Sequence, residues 1–309
     1  MQIDPSLSRS GSASRGSSQH LAWFDDDIAF FRAGESAMRR IDAGANGRSG
    51  ALRRRCALRR GGVFLVWTLS SAPAIGAPDE IQVYMDDLTK PGSFGTDLHN
   101  NYVISGKRSP DYPGANPAAH TYRFTPEIYY GLMPTMELGL YLLTTMAPGT
   151  GPNYDGQKLR FKYIAPHDES SGSFWGMNVE VGKTGRRVSE VPWNIQLKGI
   201  YGFRRGPWTV AFNANLDWSL KGSPSSPIGL EFDTKVAYEL RDGWQIGFES
   251  YNELGPVRRV GRVNEQGQTL YAVIDAPLTR KIDLNAGIGR GVTEASDRWI
   301  LKFILGIQY

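Results

Sequence analysis

One short segment places a histidine and an aspartate where they could act together. In the run TDLHNNY, Asp97 and His99 stand two apart, so an extended strand would point both side chains to the same face. An imidazole oriented by a carboxylate is the group that activates a serine nucleophile in hydrolases. No serine stands at a spacing known from such enzymes. We therefore expect His99 to be a solvated histidine and assign no catalytic residue.

Metal and cofactor chemistry have no recognisable motif in this chain. The remaining histidines are scattered and Cys56 is the only cysteine, so thiolate or clustered imidazole ligands are not indicated. Asp86 and Asp87 are adjacent, and neighbouring side chains of a strand point in opposite directions. The glycine-rich runs GIGRG and GTGP lack the following helix that a phosphate-binding loop needs. We predict no metal site and no cofactor.

Charged residues spaced two apart are the more informative pattern. The run KLRFKYIA alternates basic with large apolar residues, and GLEFDTKVAYEL alternates mostly acidic with apolar residues. A strand of this kind has one dry face and one wet face. We expect the wet faces to surround a lumen, where opposite charges either pair and fill the space or set a field along a water path. The predicted lumen-lining residues are Arg123, Glu127, Lys158, Arg160, Lys162, Glu180, Lys198, Asp217, Glu231, Asp233, Lys235, Glu239, Glu249, Asp283, Arg298 and Lys302.

The same period of two runs through most of the chain after residue 95. TVAFNANLDWSL is its clearest example, whereas QTLYAVIDA is apolar on both faces and suggests burial on both. Pro126 and Pro277 are unfavourable inside strands. No stretch has the period of a helix. The predicted strands are about 96–105, 120–131, 136–147, 158–165, 174–182, 193–203, 209–220, 229–240, 244–254, 267–277, 281–289 and 298–309.

The connections between these strands alternate in length, with HDESSGSF as the exception. Short turns at one end and longer loops at the other are typical of meandering barrels in outer membranes. A bilayer admits only helices and closed barrels, because every backbone polar group must be paired inside the protein. No apolar run is long enough for a membrane helix. We predict an all-β fold, a transmembrane antiparallel up-and-down barrel of about twelve strands over residues 96–309. A soluble periplasmic β-protein is the alternative.

Aromatic residues stand near the ends of the predicted strands. If the strands run alternately up and down, three tryptophans fall at each rim, as in the aromatic girdles of membrane barrels. These tryptophans are Trp175, Trp193, Trp208, Trp218, Trp244 and Trp299. The chain ends in RWILKFILGIQY, which resembles the C-terminal signature of bacterial outer-membrane proteins, with Tyr in place of the commoner Phe. The resemblance implies that Phe303, Leu305, Ile307 and Tyr309 are read by the barrel-assembly machinery.

The residues before the barrel divide into three parts. Residues 51–77 combine an arginine-rich start, a short apolar run and a small-residue exit, which together indicate a secretory signal peptide; a buried N-terminal helix is the alternative. Residues 1–50 form a low-complexity extension, and a start codon assigned too far upstream would explain it. Residues 78–95, which include the strand-like EIQVYMDDL, are expected to lie in the periplasm or to enter the lumen as a small plug.

Overall charge gives little support to a nucleic-acid partner. The formal net charge is only +4, and much of the positive excess comes from arginines before residue 61. Such a run suits a nucleic-acid arm. The export signal is the better explanation, because the apolar run follows these arginines directly. We expect no nucleic-acid partner.

The stretches DEIQVYMDDL, WGMNVEVG, FNANLDW and LNAGIGRG resemble a family of uncharacterised proteobacterial outer-membrane β-barrels. The chain is also loosely similar to the phenol-degradation MetA-type barrels. This resemblance implies an outer-membrane transport protein of a Gram-negative bacterium, but no substrate and no site residues. We therefore expect passive passage of a small solute through a charged lumen, with outer-membrane lipids around the barrel. The alternatives are an outer-membrane lipid hydrolase and a plugged structural barrel without transport.

Overall fold

The computed structural model describes residues 80–168, 172–221 and 227–309, without the side chain of residue 221. The extension 1–50 and the predicted signal peptide 51–77 lie outside the described residues. Each strand pairs with the next in sequence and the last pairs with the first, which confirms the closed antiparallel barrel of twelve strands. The strands are β1 (Phe94–Ser105), β2 (Tyr122–Met133), β3 (Met136–Met146), β4 (Asn153–Ile164), β5 (Ser173–Thr184), β6 (Trp193–Arg205), β7 (Trp208–Lys221), β8 (Gly229–Arg241), β9 (Trp244–Pro256), β10 (Gly267–Pro277), β11 (Ile282–Gly291) and β12 (Trp299–Gln308).

The period of two in the sequence becomes two physically different faces of the barrel wall. In β3, Glu137, Tyr141 and Leu143 are buried, whereas Leu138 and Leu140 are exposed. Successive side chains of a strand point to opposite sides, so the first set faces the interior and the second faces outward. The same alternation holds on most strands, and it leaves many large apolar side chains on the outer surface. The barrel is therefore apolar outside and mainly polar inside.

Two strand features differ from the simple pattern. QTLYAVIDA was expected to be buried on both faces, and this is wrong, because Leu270 is exposed while Tyr271 and Val273 are buried. Pro126 lies within β2, where the pairing with β3 is interrupted between Phe124 and Glu127. A proline has no N–H to give to a neighbouring strand, so this gap in the ladder accommodates it.

Closure joins the two ends of the barrel through backbone hydrogen bonds. Leu98 of β1 lies opposite Leu305 of β12, and the register continues from Gly95 to Val103. Beyond the last strand residue, the Tyr309 N–H donates to the Phe94 carbonyl at 3.1 Å. The C-terminal strand therefore leaves no open edge where it meets β1.

The connections sort the barrel into two ends. The turn end carries the connections from β2 to β3, β4 to β5, β6 to β7, β8 to β9 and β10 to β11. The loop end carries the connections from β1 to β2, β3 to β4, β5 to β6, β7 to β8, β9 to β10 and β11 to β12. Residues 165–172, which include much of HDESSGSF, are the long connection of the turn end, as the sequence indicated. Among the described residues, no helix is long and apolar enough to cross a membrane.

Two inward-facing tyrosines cover glycines on the neighbouring strand. Tyr129 lies opposite Gly95, and Tyr271 lies opposite Gly289. A Cβ added at Gly289 would stand 2.3 Å from the nearest atom of the Tyr271 ring, and one added at Gly95 would stand 2.1 Å from Tyr129. The missing side chains therefore make the space in which the rings lie flat against the wall.

Replacing Gly289 with valine should destabilise the barrel. The added side chain overlaps the buried Tyr271 ring, and overpacking of this kind costs about 1–3 kcal/mol. The urea midpoint of unfolding of the refolded barrel measures the effect. Gly151→Val is the matched control, because a Cβ there meets nothing within 4 Å. Equal midpoints for the two variants would show that the ring does not depend on the glycine.

Candidate functional site

The chain before β1 occupies the inside of the barrel. Residues 80–91, here called the luminal segment, run without strand structure between the walls. Ile81, Val83 and Tyr84 are almost completely buried and share an apolar cluster with wall residues such as Tyr251 and Ile300. The strand-like stretch EIQVYMDDL, residues 80–88, thus forms no strand, and the one β-bridge of the luminal segment joins Pro91 to Gly131.

Tyr84 is held by the wall at both its backbone and its hydroxyl. Its N–H donates to Asn213 Oδ1 at 2.7 Å, and Asn213 Nδ2 donates to its carbonyl at 3.0 Å. Its hydroxyl lies 2.5 Å from the Tyr141 hydroxyl and donates to Glu180 Oε1 at 3.4 Å. An amide side chain that closes on both polar groups of one residue replaces the missing strand pairing. Asn213 therefore fixes the segment at mid-height.

Three cationic side chains surround the Tyr84 ring. Lys198 Nζ lies 4.4 Å from the ring centroid, Lys162 Nζ 5.3 Å and the Arg160 guanidinium 5.7 Å. A cation over an aromatic face is stabilised by about 0.5–2 kcal/mol, more where water is excluded. These contacts place three positive charges, two from β4 and one from β6, against a single residue of the segment.

Ion pairs hold the segment near the turn end. Asp86 accepts two hydrogen bonds from the Arg204 guanidinium, at 2.8 and 2.5 Å, and lies 3.2 Å from His167 Nε2. Lys162 Nζ donates to the Asp87 carbonyl at 2.7 Å. The Thr89 N–H donates to Glu137 Oε2 at 2.7 Å. Because Arg204 is 44 % exposed, its pair with Asp86 contributes little to stability on its own.

One wall of the lumen centres on Arg160. Its Nε lies 2.6 Å from Glu127 Oε1, and its Nη2 lies 2.6 Å from Glu137 Oε1. His99 Nε2 lies 3.7 Å from the other oxygen of Glu127, and Asp97 accepts from the Tyr129 hydroxyl at 2.9 Å. Buried charges are tolerated only when partners surround them. This arginine neutralises Glu127 of β2 and Glu137 of β3.

Asp97, His99 and Glu127 are the one group of possible metal ligands that converges among the described residues, with ligand atoms within 4.8 Å of one another. The register explains the trio, because Asp97 lies opposite Glu127. The positive charge beside it already comes from Arg160. No serine pairs with His99, whose partners across the sheet are Thr125 and Ile304. The trio therefore resembles a buried ion-pair cluster more than a hydrolytic centre.

The opposite wall carries a second network. Lys302 Nζ forms an ion pair with Glu249, and it donates to the Ile81 carbonyl of the luminal segment at 3.2 Å. Lys235 Nζ lies 3.4 Å from Glu249 and 2.8 Å from Asp275. Two lysines and two carboxylates thus balance one another on β8, β9, β10 and β12.

The lumen residues predicted from the sequence fall into three groups. Those buried inside the wall are Arg123, Glu127, Arg160, Lys162, Glu180, Lys198, Asp233, Lys235, Glu249 and Lys302. Lys158, Asp217 and Glu231 are half-buried. Glu239 and Asp283 are exposed near the turn end, and Arg298 is exposed in the connection before β12.

Several residues that hold the luminal segment were not singled out from the sequence. Glu137, Tyr141 and Asn213 are inward-facing, and each touches the segment. Alternation alone would have found all three, since each stands an even number of positions from a predicted lumen residue or a buried one on its strand. Glu80 and Tyr84 had no such signal, because their segment belongs to no strand.

The predicted girdle tryptophans divide between the two ends. Trp175, Trp208 and Trp244 lie near the turn end, and Trp193, Trp218 and Trp299 lie near the loop end. All but Trp218 are exposed. Phe303 of β12 and the terminal Tyr309 are exposed, while Leu305 and Ile307 of β12 are half-buried.

A chamber remains between the luminal segment and the long loops. It consists of two adjoining cavities of about 570 and 400 Å³, including the water-filled space at their mouths, which share Glu231 and Tyr251. We call it the loop-side chamber. At its rim, burial raises the pKa of the Asp297 carboxyl, against the opposing effect of Lys107, whose N–H donates to it at 3.2 Å.

Comparisons with known proteins give a likeness of fold only. No protein-family model matches the chain, and no curated protein matches it. Among solved structures it is similar to the KdgM porin, at 11 % identity over 70 % of this chain and 98 % of that one, with a TM-score of 0.46. The NanC porin gives 11 % identity over 69 % and 98 %, with a TM-score of 0.47. A structure of the KdgM porin in complex with disordered oligogalacturonate gives the same values as the first. These structural neighbours are porin barrels.

Replacing Asn213 with alanine should loosen the luminal segment. The change leaves a buried N–H and a buried carbonyl of Tyr84 without partners, at a cost of about 1–3 kcal/mol. Hydrogen exchange of the Tyr84 amide should accelerate by about fivefold or more. Asn252→Ala is the control, because Asn252 bonds the Phe232 carbonyl and Ser250 but not the segment. Unchanged exchange in the Asn213 variant would show that other contacts hold the segment.

Proposed function

We propose that the chain is an outer-membrane β-barrel that gives passive passage to a small solute, with the luminal segment as its constriction. The contrast between the two faces of the wall supports this most directly. Exposed large side chains such as Leu140, Phe248 and Trp175 cover the outside, while charged and amide side chains such as Arg160 and Asn178 fill the inside. An apolar outer face suits lipid, and a charged inner face suits water and polar solutes.

The luminal segment can move without breaking the barrel. Among its described contacts, the one β-bridge is that of Pro91 with Gly131, and the rest are side-chain hydrogen bonds, ion pairs and apolar packing. Displacing it removes no pair of the strand ladder. A constriction of this kind can open while the wall stays closed.

Location and assembly belong to the same proposal. Residues 51–77 would direct export across the inner membrane of a Gram-negative bacterium. The tryptophans of both ends would anchor the barrel among outer-membrane lipids, and the C-terminal residues Phe303 to Tyr309 would be read during assembly. The resemblance to MetA-type barrels that we infer from the sequence would agree with a transport role.

A plugged structural barrel is the second candidate, and one observation favours it. Ile81 and Val83 are buried against the wall, so the segment is packed and not merely tethered. The two functions differ in whether the luminal segment ever leaves the lumen. A conductance measurement distinguishes them. A lipid hydrolase receives no comparable support, because His99 faces a carboxylate and no serine pairs with it.

Deleting residues 80–88 should enlarge the conductance of the barrel. We expect residues 78–309, refolded into a planar bilayer, to give small or rare current steps, and the variant without 80–88 to give larger and longer ones. Met85→Leu is the control, because it conserves volume and keeps the segment. Silence from both forms, with both inserted, would favour the plugged structural barrel.

An arginine on the outer face should destabilise the barrel in lipid according to its depth. Leu140 is exposed at the middle of β3, so Leu140→Arg should cost about 2–4 kcal/mol of unfolding free energy in vesicles. Tyr154→Arg, near the loop end of β4, should cost about 0–1 kcal/mol. Urea titration in vesicles compares the two. Equal costs would contradict a lipid-facing surface.

A further inference from the structure

We propose that the loop-side chamber binds a small organic ammonium cation. The inference deepens the proposed function, because it names the class of solute that would enter from the loop end. The first observation in support of a cation site is the negative charge of the residues that line the chamber. Seven carboxylates line the chamber against three lysines. The carboxylates are Glu80, Asp111, Glu180, Glu231, Asp233, Glu253 and Asp297, and the lysines are Lys107, Lys158 and Lys198.

The lysines do not offset this excess, because each already has a partner. Lys107 pairs with Asp111 at 3.2 Å, and Lys158 lies 4.0 Å from Glu180. Lys198 lies over the Tyr84 ring. The lining therefore keeps four more carboxylates than lysines, and Glu231 of β8 and Glu253 of β9 are among them.

Two of the acids stand directly against each other. Glu231 of β8 lies opposite Glu253 of β9 in the register, and both line the chamber. Like charges directly opposite on a sheet are destabilising, so the fold keeps a repulsive pair at this place. A bound cation would relieve the repulsion, since an opposite charge within a few ångströms favours the ionised form of both groups.

Orphan acceptors beside this pair point to a ligand that donates hydrogen bonds. Asp233 is 2 % exposed and Asn215 is 1 % exposed, and both line the chamber. Asn215 Nδ2 donates to Glu231 and to Asp233, yet Asn215 Oδ1 and Asp233 Oδ1 have no partner. Each is an acceptor, and a buried acceptor without a donor costs about 1–3 kcal/mol. An ammonium group carries only donors and meets this requirement.

The remainder of the lining suits an organic cation better than a metal ion. Tyr251, Tyr271, Ile81 and Ile300 give the chamber an apolar side that can pack an alkyl chain. Hard metal ions need several oxygen ligands within one tight shell. Among the described residues, ligand atoms converge in that way only at Asp97, His99 and Glu127, none of which lines the chamber.

Isothermal titration of the refolded barrel with spermidine, in detergent at low salt, tests the proposal. We expect spermidine to bind and the double variant Glu231→Gln with Glu253→Gln to bind it at least about tenfold more weakly. Asp283→Asn is the matched control, since it removes a carboxylate near the turn end, and it should leave binding unchanged. The double variant should also unfold at higher urea than the parent, because the repulsive pair is gone. If it fails to refold, Asp233→Asn takes its place.

The titration can support or overturn the cation site. Absent spermidine binding, equal binding by parent and double variant, or tighter binding of Ca²⁺ than of spermidine would overturn the proposal. Titration in detergent measures binding and does not require the solute to pass through the barrel. Its result is therefore independent of the conductance experiment. Binding in a barrel that stays silent after deletion of residues 80–88 would remove the transport role and leave the cation site in place.

Discussion

Closure of β12 onto β1 is the constraint on which the rest of this structure depends. Once Leu98 and Leu305 stand opposite each other, every strand has two neighbours and no edge remains. In each strand the apolar side chains must then point outward and the polar side chains inward. A slip of one residue would put Arg160 and Lys302 on the outer surface and the leucines in the lumen. The burial of these charges is therefore a consequence of closure. Their pairing offsets the desolvation cost of burying them.

The charged side chains of the lumen form ion pairs with oppositely charged neighbours on the same wall. Arg160 serves two carboxylates on one wall, and Glu249 serves two lysines on the other. Such pairs repay their desolvation only when further hydrogen bonds complete them. The luminal segment supplies part of that completion, because Lys302 reaches the Ile81 carbonyl and Lys162 reaches the Asp87 carbonyl. Wall and segment thus stabilise each other through ordinary backbone acceptors.

Much of the fold follows from the sequence, and the missing part has a physical reason. The period of two predicted twelve strands, and several predicted boundaries, such as those of β10 and β12, agree with the structure to within a residue or two. Pairings across strands, such as Glu127 with Arg160, depend on register and could not be read from one strand alone. The course of the luminal segment was equally hidden, because its contacts are made by Tyr84 and by wall residues far away in sequence, such as Asn213. The alternation of apolar and polar residues predicts which face of a strand is buried. It does not predict the contacts of the luminal segment, because that segment forms no strand.

The distribution of interactions along the lumen axis indicates how the segment would be released. Its turn-end contacts include the pair of Asp86 with the part-exposed Arg204, which salt and water weaken. Its mid-height contacts are the two hydrogen bonds of Asn213 and the three cations around Tyr84, whose side chains are buried. The loop-side chamber adds an excess of negative charge above them. A cation bound there would share with Lys198 the electrostatic attraction of Glu180 and Asp233, and would so weaken the attraction that holds Lys198 near Tyr84. The strongest contacts of the segment therefore lie next to the place where an incoming charge acts, and the weakest lie at the far end.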